Sequence, residues 1–257
     1  MTGRLVGQTI YSKANRRRFE HWTWIPDGDG PFPLVVLLHG VYDAGGFVWW
    51  HQGDAAVTAA RLVRDGVIPP SVVVMAGDTG AELGTGYCDW ADGTAFAETY
   101  IVDELLPWLD NTHPLDGTRA IAGLSMGGYG ALLLALRNPG LFASASATSG
   151  FFSPRRLFDF VPDATNRMWV DAASEAEHDV GELLLQPGRR TQLAIAFDCG
   201  TEDELIKENT SMHERLQAAG VLHGYAEHAG GHTWDYWREH LPDHLRFHAG
   251  APGPLSP

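Results

Sequence analysis

Apolar residues in this chain fall into two kinds of pattern, and the two kinds alternate. Short runs that are apolar almost throughout occur at Leu34–Leu38, Val72–Ala76, Arg119–Gly123, Ala143–Thr148, Gln192–Phe197 and Gly224–His228. Such runs predict strands covered on both faces, because only a strand buried on each side needs apolar groups at consecutive positions. Two polar-flanked stretches, Arg4–Ser12 and Arg18–Ile25, predict a pair of strands ahead of them. Between the later runs, apolar residues recur at helical spacing over Asp54–Asp65, Ala95–Asn111, Met126–Arg137, Asp203–Ala219 and Thr233–His240, with Gly220 placed to stop the fourth helix. Strand and helix in alternation predict an α/β fold with a mostly parallel central sheet and helices on both faces. The segment from Phe151 to Arg190 breaks the alternation with Asp, Arg, Pro and irregularly spaced aromatics, and is read as a lid-like excursion. A single domain is expected over 1–250, followed by a frayed tail at 251–257 of mostly Gly, Pro, Ala and Ser.

Composition narrows the possibilities. At 257 residues, 44% hydrophobic and 19% charged, the chain can bury a full core, and its apolar runs fall far short of the ~18 residues of a membrane span. A formal net charge of −14 repels phosphate backbones and anionic lipid, so neither nucleic acid nor membrane is an expected partner. Cys88 and Cys199 show no metal or redox spacing and read as two reduced thiols. No apolar segment follows the early basic residues, so a secretory signal is not expected and a cytoplasmic location is.

The chemistry concentrates in Gly123-Leu-Ser-Met-Gly127, a G-x-S-x-G pattern for which the 30 glycines of the chain give only about 0.14 chance matches. A predicted strand runs straight into it and a predicted helix leaves at once, which is the context of a nucleophile elbow. Ser125 is the expected nucleophile. A serine hydroxyl is weakly nucleophilic at neutral pH and needs a base and a group to orient that base. Of twelve histidines, His232 sits in the glycine turn Gly230-Gly-His-Thr-Trp234 and can project over the sheet edge. The carboxylate is expected from the loop after Gln192–Phe197, where Asp198, Glu202, Asp203 and Glu204 are all available. Backbone N–H groups of Met126 and, from the loop after Leu37-Leu-His-Gly40, of Val41 are candidates for an oxyanion hole. His228 and His232 share a metal-like spacing, but no third ligand falls in register and no metal or other cofactor is expected.

These residues resemble the esterase D-like branch of the α/β-hydrolases, which includes feruloyl esterases, S-formylglutathione hydrolases and mycolyl transferases. The likeness rests on Leu37-Leu-His-Gly40, Gly123-Leu-Ser-Met-Gly-Gly128, Cys199-Gly-Thr-Glu-Asp203 and Gly230-Gly-His-Thr-Trp234, in that order. It implies the α/β-hydrolase fold, a triad of Ser125, His232 and Asp203 with Glu202 as the competing acid, and an oxyanion hole of the Val41 and Met126 N–H groups. The expected activity is hydrolysis of small carboxylic esters through an acyl-enzyme. Acyl transfer to a sugar or other alcohol, S-formylglutathione hydrolase-like thioester cleavage, and a noncatalytic hydrolase-fold binding protein are the alternatives. Trp49, Trp90, Phe152 and Trp234 are expected along the substrate pocket. The implied partner is a small ester.

Overall fold

The computed structural model describes residues 3–42, 45–77, 84–164 and 167–256. One sheet of eight strands runs through them: β1 (Gly3–Ser12), β2 (Arg17–Pro26), β3 (Phe32–Leu38), β4 (Val72–Ala76), β5 (Leu115–Leu124), β6 (Ser144–Thr148), β7 (Ala194–Gly200) and β8 (Gly224–His228). Their spatial order is β1-β2-β4-β3-β5-β6-β7-β8. The β1–β2 hairpin and the β2–β4 pairing are antiparallel, and every other pairing is parallel. All eight expected strands form. The largest boundary difference is at β5, which begins four residues before Arg119 and pairs with β3 through a register shift.

The helices are α1 (Phe47–His51), α2 (Ala55–Arg64), α3 (Ala97–Thr99), α4 (Leu106–Thr112), α5 (Met126–Arg137), α6 (Ala172–Ala176), α7 (Val180–Leu183), α8 (Ile206–Ala218) and α9 (Trp234–His248). A π-helical turn over Tyr100–Leu105 joins α3 to α4 into the one helix expected there. Strand β3 shows why the strands are apolar throughout. Leu34, Val36 and Leu38 belong to one core cluster with Leu106 of α4, Leu132 of α5 and Leu216 of α8, whereas Val35 and Leu37 belong to another with Leu62 of α2 and Leu241 of α9. Successive side chains point to opposite faces, and helices cover both. Helix α5 is buried from Met126 to Leu136 and accordingly apolar all round.

Three expectations change. Helix α9 does not end at His240 but continues through Pro242 to His248. The N–H that proline lacks would have gone to the carbonyl of Arg238, which lies on the exposed side of the helix. His244 is therefore turned inward, 2% exposed, and His248 sits between the hydroxyls of Ser144 and Ser146 at 2.8 and 2.9 Å. Both rings turn toward serines of β6. The tail is docked, because Leu255 is 1% exposed against Phe247 and Ala196; residue 257 lies outside the described residues. The 151–190 segment, apart from residues 165 and 166, which are not described, consists of short helical turns. Its Phe151, Leu157, Val161, Met168, Leu183 and Leu184 enter the same core as α5. Among the described residues no helix is long and apolar enough to cross a membrane.

One buried ring on β2 makes the fold acid-sensitive. His21 is fully buried, edge-on to Trp108 at 5.1 Å, and neither ring nitrogen has a hydrogen-bond partner among the described residues. Burial, helped by the positive ring of His113 when charged, pushes its pKa down to about 4. In the unfolded chain the ring takes a proton near pH 6.5, so the folded state binds fewer protons below that pH. The stabilisation by neutral His21 is complete above pH 6.5 and is lost as pH falls toward 4, at about 1.4 kcal/mol per pH unit. Urea unfolding at pH 7 and pH 5 is expected to show a stability loss about 2 kcal/mol smaller in His21→Phe than in the parent; equal losses in both proteins would show that this ring is not the cause.

Candidate active site

The site lies at the carboxyl ends of β3, β5, β7 and β8, beside the point where the chain, having added β4 to one side of β3, adds β5 to the other. Such switch points leave a crevice above the sheet. Ser125 occupies the junction of β5 and α5 with φ +52° and ψ −119°, a strained conformation for a residue with a side chain. Its N–H donates to the Thr148 carbonyl at 3.0 Å and its carbonyl accepts from the Tyr129 N–H at 3.1 Å, so both neighbouring elements hold the turn. The flanking glycines answer to close approach. A Cβ on Gly123 would stand 2.1 Å from the Gly127 carbonyl oxygen, and one on Gly127 would stand 2.3 Å from that of Leu38. Met126 is the first residue of α5, where backbone N–H groups have no partner within the helix.

His232 and Asp203 come from two loops that cross. The Glu202 N–H donates to the Gly230 carbonyl at 2.9 Å, and a Cβ on Gly200 would meet that same carbonyl oxygen at 2.2 Å. Gly230 itself has φ +127° and lies against Tyr236, so glycine is required on both loops. The crossing carries His232 Nδ1 to 2.9 and 3.1 Å from the two Asp203 oxygens and His232 Nε2 to 3.0 Å from Ser125 Oγ. Asp203 is 3% exposed. Burial alone would raise its carboxyl pKa, but the hydrogen bonds with His232 and from the Leu205 N–H at 2.8 Å outweigh burial and hold it below the ordinary value. A hydroxyl in contact with an imidazole whose other nitrogen meets a buried carboxylate can pass its proton to that ring.

The other three candidate carboxylates lie elsewhere. Glu202 and Glu204 are exposed. Asp198, which as a strand-end residue could be expected near the surface, is 1% exposed and accepts from Tyr236 Oη at 2.6 Å and from His244 Nε2 at 2.8 Å. Asp198, His228 and His240 lie within 4.8 Å of one another by their ligand atoms. The two imidazoles, however, stack at 4.1 Å with planes only 10° apart, so their in-plane lone pairs run side by side and do not converge on an ion.

A cleft of about 310 Å³ opens over Ser125 and His232, walled among the described residues by Val41, Tyr42, Phe160, Trp234 and Trp237. The Tyr42 hydroxyl donates to the Phe160 carbonyl at 2.7 Å and ties the loop after β3 to the 151–190 segment. In the same loop the His39 N–H donates to Tyr87 Oη, and Tyr87 Oη donates to the His39 carbonyl, both at 3.0 Å. Of the four aromatics expected along the pocket, Trp234 reaches this cleft. Trp49 is 1% exposed and packs edge-on behind Trp234 at 5.4 Å. Trp90 is turned inward with Nε1 on the Thr85 carbonyl at 3.0 Å and the Arg167 guanidinium over its ring. Phe152 lies against Phe197 and borders a separate groove beside α8. Large aromatics usually serve the core, and nothing in their local sequence separates the two uses. Tyr42 was within reach of sequence reasoning because it follows Val41; Phe160 and Trp237 carried no such signal.

With this geometry in hand, the relatives fall into place. The sequence profile described as "Putative esterase" matches residues 19–248. An esterase of Mycobacterium tuberculosis is 32% identical over 164 residues, which are 53% of this chain and 36% of that protein, so the chain matches about a third of its length. An acetyl esterase of Caldicellulosiruptor saccharolyticus is 26% identical over 80% of this chain and 79% of its own. Among solved structures, a ferulic acid esterase superposes with a TM-score of 0.83 at 26% identity, covering 97% of this chain and 98% of the other. An S-formylglutathione hydrolase from Agrobacterium tumefaciens superposes with the same TM-score at 21% identity over 98% and 96% of the two chains, a likeness of fold. The chain belongs to the putative esterase family and has the α/β-hydrolase fold.

Proposed function

We propose that this esterase is a serine hydrolase that cleaves small carboxylic esters through an acyl-enzyme, with water as the second substrate. The observation that carries the reading is the unbroken hydrogen-bonded chain from Asp203 through His232 to Ser125. Ser125 Oγ attacks the ester carbonyl while His232 Nε2 takes its proton, and the ring then gives that proton to the departing alcohol. Buried Asp203 fixes the tautomer with the proton on Nδ1 and stabilises the imidazolium. The Met126 N–H at the start of α5 and the Val41 N–H beside the cleft receive the charge that develops on the carbonyl oxygen. Water, activated by the same ring, releases the acid. Acetyl and feruloyl esters, the substrates named for two relatives, are the first candidates, and the aromatic walls of Tyr42, Phe160 and Trp234 suit either a small acyl group or a flat one.

A fluorophosphonate probe is expected to label the protein once, at Ser125, because only an activated serine attacks phosphorus at a useful rate. Absence of labelling by a folded sample that also hydrolyses no p-nitrophenyl ester would leave the site a noncatalytic pocket. Hydrolysis of acyl-chain and aromatic p-nitrophenyl esters, run with and without an alcohol acceptor, separates the hydrolase from a transferase. Acylated alcohol accumulating in place of free acid would overturn water as the acceptor, and preference for a formyl thioester would move the substrate class.

A further inference from the structure

Behind the proposed triad lies a second set of contacts that the elbow, base and acid do not account for. Trp237, in the first turn of α9, is 6% exposed and stands edge-on to the His232 ring at 4.9 Å and 88°. Its Nε1–H donates to Ser149 Oγ at 3.1 Å. Ser149 is fully buried at the end of β6, held at φ +49° with its N–H on the Asp198 carbonyl at 2.8 Å. An indole N–H can only donate, so the serine oxygen accepts from it and anchors the indole. The residue just before Ser149, Thr148, receives the Ser125 N–H, so one strand end holds both the nucleophile turn and the indole that lies on the base.

We infer that Trp237 and Ser149 are positioning residues: Ser149 Oγ fixes the indole through its Nε1–H, and the indole holds the His232 imidazole by its ring in the orientation that meets Ser125 and Asp203. The inference rests on the triad reading above.

Ser149→Ala and Trp237→Phe test this separately and together. Loss of the contact that orients the imidazole is expected to lower kcat about tenfold in each variant with KM within about twofold. Because both act through one chain of contacts, the double variant is expected to cost no more than the larger single change. If Trp237→Phe loses the fold, Ser149→Ala, which removes one buried hydroxyl, carries the test alone through kcat and the rate of fluorophosphonate labelling. Unchanged kcat in Ser149→Ala, or Trp237→Phe raising KM alone as a mere wall of the cleft, would overturn the inference. Parent protein that fails to label with fluorophosphonate would overturn the triad reading instead, whereas labelling at the parental rate in both variants would sink only the positioning role.

Discussion

Ser125→Ala is expected to fold normally and to hydrolyse p-nitrophenyl acetate about 10⁶-fold more slowly than the parent, the scale seen when the nucleophile of a triad is removed. The loss follows from the geometry. Ser125 Oγ stands 3.0 Å from His232 Nε2, and without it the ring has no hydroxyl to deprotonate and no acyl-enzyme can form. The fold has little to lose, because the backbone bonds to Thr148 and from Tyr129 remain and alanine meets the φ of +52° at a cost close to that of serine. The measurements are kcat on the ester, fluorophosphonate incorporation and the thermal unfolding midpoint. Residual activity above about a thousandth of the parent in a cleanly folded sample would contradict the nucleophilic role.

Asp203→Asn is expected to lower kcat about 10⁴-fold, while Glu202→Gln leaves it near the parental value. Asparagine keeps the shape of the side chain and can still accept from the Leu205 N–H. It removes the charge that stabilises the imidazolium, and its amide can offer a donor to His232 Nδ1 where the working tautomer needs an acceptor, the situation that costs this much in the serine-protease precedent. Glu202 is exposed, and its backbone, not its carboxylate, engages the His232 loop. The hydrogen bonds that hold the Asp203 carboxyl below its ordinary pKa favour the ionised form that the imidazolium needs. Side-by-side kcat values decide the assignment: collapse in the glutamine variant with parental activity in the asparagine variant would transfer the role to Glu202.

Much of this was legible along the chain. Two-faced burial favours apolar runs, so six of the eight strands could be named from such runs before their partners were known, and the first two from polar-flanked stretches. A strand that turns into a helix within one residue needs glycines where the two backbones touch, so Gly123 and Gly127 marked Ser125. Both are local demands, and local demands leave local marks. The acid was different. Asp198, Glu202, Asp203 and Glu204 fall within seven residues, and only the tertiary packing decides that Asp203 in the loop meets the ring, that Asp198 at the end of β7 is sealed against Tyr236 and His244, and that the glutamates face solvent. The same holds for α9, where a polar sequence around Pro242 hides two histidines turned toward serines of β6. Trp237 reaches Ser149, 88 positions away, by packing alone. Periodicity and glycine placement report the backbone path within an element. Which side chains share a buried space depends on contacts between residues a hundred positions apart, and no pattern confined to one stretch of sequence encodes those.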